Sequence, residues 1–250
     1  MKRTFCVILA TVVFALSLCS CALFDAVTAY GLYSKAMKTF KEAGGFEADC
    51  VVSLSMNVLG QEVLTSYGVN VKQNGSNVKM TMDSEGLVTE TTMIDRTVYV
   101  NAVGQKLKYT ISSDKTLTMD LNRIMPELKE NVFEGIDVIR NDDGTKAVSV
   151  ELEQEVVKKI FSTLIEEEDT GISEAMSFEN ILFTMNFSKD NELESVALDC
   201  DMIVDILGMN LTSHVTIEYT LINFGTAPKV AAPEDADSYI DAGEYVGGLL

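Results

Sequence analysis

The stretch 46–59, FEADCVVSLSMNVL, decides the fold class. Phe46, Ala48, Cys50, Val52, Leu54, Met56 and Val58 share one parity, with Glu47, Asp49, Ser53, Ser55 and Asn57 on the other. Successive side chains of a strand point to opposite faces. A period of two sustained this long therefore marks a strand with one dry and one wet face. Only Val51 breaks the pattern.

The alternation carries on through Val63, Tyr67, Val69 and Val71, then through Val78, Met80 and Met82. Turn signals divide these runs at Leu59-Gly60-Gln61, Asn74-Gly75, Glu85-Gly86 and Gly104. Asn-Gly is a strong hairpin signal because both residues tolerate positive φ. Residues 46–111 are thus expected to form a meander of about six antiparallel strands. Upstream, Phe24, Val27, Tyr30, Tyr33, Met37 and Phe40 recur at steps of three or four, a helical stripe stopped by Gly44-Gly45.

Downstream, Leu117, Leu121, Ile124, Met125 and Leu128 predict a second helix, interrupted near Pro126. Strands are expected around 132–140 and 145–152, joined by the turn Asn141-Asp142-Asp143-Gly144. A third helical stripe runs through Val156, Val157, Ile160, Phe161, Leu164 and Ile165. Three long strands come next. The first carries Ile181, Phe183, Met185 and Phe187; the second Val196, Leu198, Cys200, Met202 and Val204; the third Met209, Leu211, Val215, Ile217, Tyr219 and Leu221. Residues 236–250 read as an acidic tail that frays. The class is α+β, one sheet with a wet face and a face covered by helices.

The N-terminus supplies the address. Lys2 and Arg3 precede an apolar run from Phe5 to Leu18, the layout of a secretory signal and too short for a comfortable span of about 20 residues. Leu18-Cys19-Ser20-Cys21 resembles the lipobox of bacterial lipoproteins, with Leu18, Ser20 and Cys21 at its defining positions. Cys19 departs slightly from the usual small residue in the middle. The resemblance implies a signal peptide over 1–20, lipidation of Cys21, and an extracytoplasmic protein anchored by that lipid to the bacterial cell membrane. About 230 mature residues make one domain, 21–235, the expected organisation.

Charge excludes one class of partner. Cleavage after residue 20 removes Lys2 and Arg3 and no acid, leaving 17 bases against 38 acids, a net charge of −21. Such a surface repels nucleic acid, whose binding relies on Lys and Arg, and leaves membrane attachment to the lipid.

Little in the chain points to catalysis, and no cofactor is implied. His214 is the only histidine, and it shares the outward parity of Thr212, Thr216 and Glu218. There is no Gly-x-Ser-x-Gly elbow, phosphate loop or His-Glu-x-x-His. Glu166-Glu167-Glu168-Asp169 lacks the spacing of a Ca²⁺ loop and reads as a solvated helix end; no metal site is expected. Cys50 and Cys200 both lie on inward parities, either as a disulfide or as two buried free thiols.

Met56, Met80, Met82, Met185, Met202 and Met209 also occupy inward positions. Flexible, polarizable methionine suits an adaptable apolar lining as well as an ordinary core.

Lipobox, N-terminal helix, meander, inserted helices and three long strands together resemble the LolA/LppX-type bacterial lipoprotein superfamily. The likeness spans about 24–235, with local support from Thr97-Val98-Tyr99-Val100 and the closing Pro228 to Pro233 segment. The lipobox favours the anchored branch, including proteins of Gram-positive bacteria. The resemblance implies a curved antiparallel sheet, a half-open β-barrel of about ten to eleven strands, with helices over the concave face. It also implies a non-enzymatic protein holding an apolar ligand, lipid or acyl chains, between sheet and helices. Val52, Leu54, Met56, Tyr67, Met80, Met82, Phe183, Met185, Phe187, Met202, Val215 and Tyr219 are the expected lining. The rival is a surface lipoprotein that uses the same fold for protein–protein contact or envelope sensing, without a ligand.

Overall fold

The computed structural model describes residues 27–58, 61–84, 86–111, 125–162, 176–206, 209–222 and 226–245. The expected signal peptide, Cys21, Phe24, the helix over Leu117–Ile124 and the acidic run 166–169 lie outside them.

The meander stands as expected: β1 (Gly45–Val58), β2 (Gln61–Asn74), β3 (Asn77–Ser84), β4 (Leu87–Ile94), β5 (Thr97–Ala102) and β6 (Gln105–Ile111), each antiparallel to the next. β7 (Ile139–Arg140) and β8 (Lys146–Glu151) come after it, then β9 (Met176–Phe187), β10 (Leu193–Ile206), β11 (Met209–Leu221) and β12 (Ile240–Tyr245). Their order across the single sheet is β12-β6-β5-β4-β3-β2-β1-β11-β10-β9-β8-β7. β12 and β7 are its two edges, so the curved sheet stays open and does not close into a barrel. The central pair β1–β11 joins the meander to the last three long strands.

Four details depart from the expectations, each for a local reason. The described residues give twelve strands, not ten or eleven. The strand expected over 132–140 is a 3-10 turn at Glu130–Phe133 and then loop, because Gly135 takes φ +75° and interrupts the extended run. Only Ile139–Arg140 pair with β8. The β2–β3 turn is Gly75-Ser76, one residue later than the Asn-Gly signal, since Asn74 pairs with Asn77 and Gly75 takes φ +57°. Positive φ at the first central residue is the II′ pattern, which glycine supplies without strain. The acidic tail does not fray over 236–245: it forms a 3-10 turn at Ala236–Ser238 and then β12, which pairs parallel with β6.

Two helices are described. α1 (Ala29–Glu42) is opened by Thr28, whose hydroxyl accepts from the Gly31 N–H at 3.0 Å, and is closed at Gly44, φ +64°. Its buried stripe is Ala29, Leu32, Tyr33, Ala36 and Phe40, with Tyr30 and Met37 half-buried beside it. Phe40 meets Phe46 of β1 at 6.1 Å between ring centroids. α2 (Gln154–Ser162) packs on β9 through Phe161 and Phe178, 4.9 Å apart. The Gln154 side chain ties its start to the sheet by accepting the Phe178 N–H at 3.1 Å.

The core lies between these helices and the inner sheet face. Phe46, Ala48, Val71, Met93, Val98, Val148, Val150, Met185 and Phe187 are nearly inaccessible there. Tyr33 locks the segment after residue 125 onto α1. Its hydroxyl donates to the Pro126 carbonyl at 2.9 Å and accepts the Leu128 N–H at 2.6 Å, and its ring lies 4.9 Å from Phe133. Burial above all raises its pKa. Tyr33→Phe keeps the ring but leaves both backbone groups without their partner. The expected cost is about 1–3 kcal/mol, read as a lower urea midpoint with unchanged slope.

Candidate functional site

Among the described residues, the inner sheet face is not evenly covered. One half packs against α1, α2 and the 3-10 turn at 130–133. The other half, across β11, β2, β3 and β6, keeps large apolar side chains in solvent: Leu211 52%, Val63 43%, Tyr67 40%, Met82 41% and Leu107 41% accessible. All five are on the inward parity. Met56 stands opposite Val63, Val52 opposite Tyr67, Val69 opposite Met82, and Val100 opposite Leu107. Those partners are half-buried; Val63, Tyr67 and Met82 gather on the neighbouring strands β2 and β3, and Leu107 and Leu211 extend the strip along the same face to β6 and β11.

The expected lining therefore divides. Phe183, Met185, Phe187, Val215 and Tyr219 are buried in the core. Val52, Leu54, Met56, Met80 and Met202 are half-buried at its margin, and Tyr67 and Met82 lie open on the strip. Leu107, Val63 and Leu211 were missing from the expected set. Their inward parity was visible, but which end of each strand the helices leave bare depends on the helices' placement.

Two hollows of about 520 and 510 Å³ lie elsewhere. One sits beside the start of α1, against Tyr30, Phe133 and Arg140; the other lies at β9, against Leu152, Phe178 and Asn180.

The opposite, outward face carries a polar group that register assembles. Leu182 pairs with Asp199 and Glu179 with Asp201, so Asn180 and Ile181 together oppose Cys200. This is a β-bulge, with Asn180 at φ +51°. The bulge aims the Asn180 amide at Asp201 Oδ2, 2.7 Å away. His214 pairs with Asp201 in register, its Nδ1 3.0 Å from Asp201 Oδ1 and its Nε2 3.3 Å from Asp199 Oδ2. Thr216 Oγ1 donates to the same Asp199 oxygen at 3.3 Å.

The Asp201 hydrogen bond, with the Asp199 carboxylate beside it, raises the His214 pKa. Asp201 is lowered, first by Asn180 and then by His214. A ring engaged by carboxylates at both nitrogens is favoured as imidazolium and has no free lone pair to act as a base. His214 is exposed, as its parity implied.

These shifts set the sign of a pH dependence. The fold binds the His214 proton more tightly than the unfolded chain does, so this contribution is complete below about pH 6.5 and fades as pH rises through the higher folded pKa. His214 is exposed and both carboxylates are partly so, which keeps the effect under about 1 kcal/mol. Urea midpoints should fall slightly from about pH 6 to about 8.5, and His214→Gln should flatten that slope.

Cys50 and Cys200 are buried free thiols. Their common neighbour is β11, where Cys50 faces Tyr219 and Cys200 faces Val215. Two strand spacings sideways and four residues along put their Cα atoms roughly 16 Å apart, far beyond the limit of about 7 Å for a bridge. Burial pushes the Cys50 thiol up to about 11 and, with Asp199 and Asp201 adding to it, Cys200 to about 12. Neither is a thiolate near neutral pH. Among the described residues no three His, Cys, Asp or Glu converge to hold a metal ion, and no helix is long and apolar enough to cross a membrane.

No protein-family model matches the chain, and no curated protein does. Solved structures do match. A LolA superfamily protein from Nitrosomonas europaea is 12% identical with a TM-score of 0.28, the match covering 79% of this chain and 95% of that one. A DUF1329 family protein from Desulfovibrio piger is 11% identical with a TM-score of 0.25, over 76% and 90%. A domain described as a putative outer membrane lipoprotein-sorting protein, from Vibrio parahaemolyticus, is 4% identical with a TM-score of 0.25, over 77% and 89%. At such TM-scores the fold assignment rests on the strand order and curvature described above.

Proposed function

We propose that the mature chain, held outside the cytoplasm by a lipid on Cys21, binds an apolar ligand bearing acyl chains on the uncovered half of the concave face. It carries or senses that ligand without altering it chemically. The observation that supports this is the strip of Leu211, Val63, Tyr67, Met82 and Leu107, five large apolar side chains left 40–52% accessible on the face that elsewhere forms the core. Exposed apolar surface of this kind marks a site where something apolar docks. The methionines on and beside the strip, Met82 and Met80 of β3 and Met56 of β1, suit chains of varied length and bend.

The test is displacement of a fluorescent fatty acid from the delipidated mature protein by unlabelled phospholipids and fatty acids. Saturable binding, competed by acyl chains and not by their water-soluble head groups, is the expected result. A protein that binds no acyl probe serves instead as an interaction or sensing module.

A further inference from the structure

The β6 edge is filled by the chain itself in an unusual way. Among the described residues β12 is the one parallel strand in an otherwise antiparallel sheet, and its pairing is broken. Ile240 and Asp241 face Leu107 and Lys108; after a register shift, Glu244 and Tyr245 face Thr110 and Ile111. Gly243, at φ +84°, sits in the break, its N–H held by Asp241 Oδ1. Ile240, Asp241, Ala242 and Gly243 are all exposed.

What holds this segment comes just before the strand. The Lys106 ammonium pairs with Asp235 and lies 5.8 Å from the centre of the Tyr239 ring. Tyr239 is buried edge-on against Tyr99, 5.4 Å away. Lys108 stands opposite Asp241. The segment 234–245, EDADSYIDAGEY, carries five acids and no base, and it meets two lysines of a chain short of bases. Residues 227–233, which lead into it, have no regular secondary structure. A short, interrupted strand pinned at a few points opens more easily than the sheet it borders.

We propose that the outer edge of β6 is a strand-addition site, occupied by the chain's own residues 235–245, and that a second copy of the chain can supply the same segment in its place. Strand addition gains its affinity from main-chain hydrogen bonds and its specificity from side-chain pockets. Here the specificity elements are Lys106, Lys108 and the Tyr99 ring. An exchanged segment makes the contacts that the resident one makes, so exchange costs only association entropy and the repulsion between two chains that each carry −21 when mature. Salt screens that repulsion, so exchange should increase with ionic strength.

A charge-swap mixture tests this in the full mature chain with Cys21→Ser for solubility. Lys106→Glu and Asp235→Lys each lose the pair within their own chain. Exchanged between the two variants, Lys106 of one meets Asp235 of the other, and Glu meets Lys in the reciprocal contact. Native mass spectrometry with one variant isotope-labelled should show heterodimer exceeding either homodimer by about tenfold. Adding Tyr239→Ala to both should abolish it. A mixture that stays monomeric, or homodimers as abundant as the heterodimer, overturns the proposal. Should a variant fail to fold, a labelled peptide spanning 232–245 serves in its place. It should bind the Tyr239→Ala chain better than a scrambled peptide does, and absence of that preference overturns the proposal equally.

Discussion

Cys21→Ser should move the protein almost entirely from the membrane fraction to the soluble fraction. Its mass should also lack the acyl groups that the parent carries. The expectation rests on Leu18, Ser20 and Cys21 standing at the lipobox positions and on the charge of the mature chain. A single acyl chain binds a bilayer only marginally, whereas a two- or three-chain modification anchors firmly. Once residues 1–20 are removed, residual attachment through the protein surface would be opposed by a net charge of −21, since anionic head groups repel it. The change should therefore be nearly all-or-none. A variant that remains membrane-bound with the parental processed mass sinks the lipobox assignment, and with it the address.

The period of the apolar residues made the strands legible. Alternation over 46–58 identifies β1, and the same parity rule puts Phe183, Leu198, Val215 and Ile217 inside and His214 and Glu218 outside, whereas Val52, Leu54 and Met80, expected buried, and Ser53 and Thr216, expected exposed, are all half-buried. Parity is a local property, fixed by the pleat, and it assigns the face of a residue but not how fully that face is covered. It failed to locate the features that depend on register between strands. Asp199, Asp201 and His214 all carry outward parity, but only the β10–β11 register brings them within 3.0–3.3 Å, and only the Asn180 bulge adds the amide.

Register also decided the cysteines. Sharing a face left a disulfide open, and their offset along β11 closes that possibility. The order of the tail is hidden from the sequence for a related reason. Its acids looked like a solvated end because Lys106 and Tyr99, its partners, lie some 130 residues away in sequence. The concave strip was half legible. Met82 and Tyr67 were among the expected lining, while Phe183, Met185 and Phe187, equally apolar and equally inward, turned out to be the floor of the core.

That division determines which substitution tests ligand binding. Met185 is completely buried, and a charge there costs several kcal/mol of stability, so a loss of binding in Met185→Asp reports only unfolding. Met82 is different: it is 41% accessible, at the open end of β3 and beside Val69. A lysine there can lay its methylenes on the strip and lift its ammonium into water, leaving the free protein within about 1 kcal/mol of its parent. An acyl chain on the same strip would trap that ammonium against hydrocarbon or be displaced by it. Met82→Lys is therefore expected to weaken a fluorescent fatty acid by about ten- to a hundredfold, or about 1.4–2.7 kcal/mol, with an unchanged circular dichroism spectrum. The matched control is Leu64→Lys, on the outward parity of β2 and more exposed still, which should bind as the parent does. Equal affinities for parent, Met82→Lys and Leu64→Lys would place the ligand off this strip. A parent that binds no acyl probe at all would leave the strip as the contact face for a protein partner.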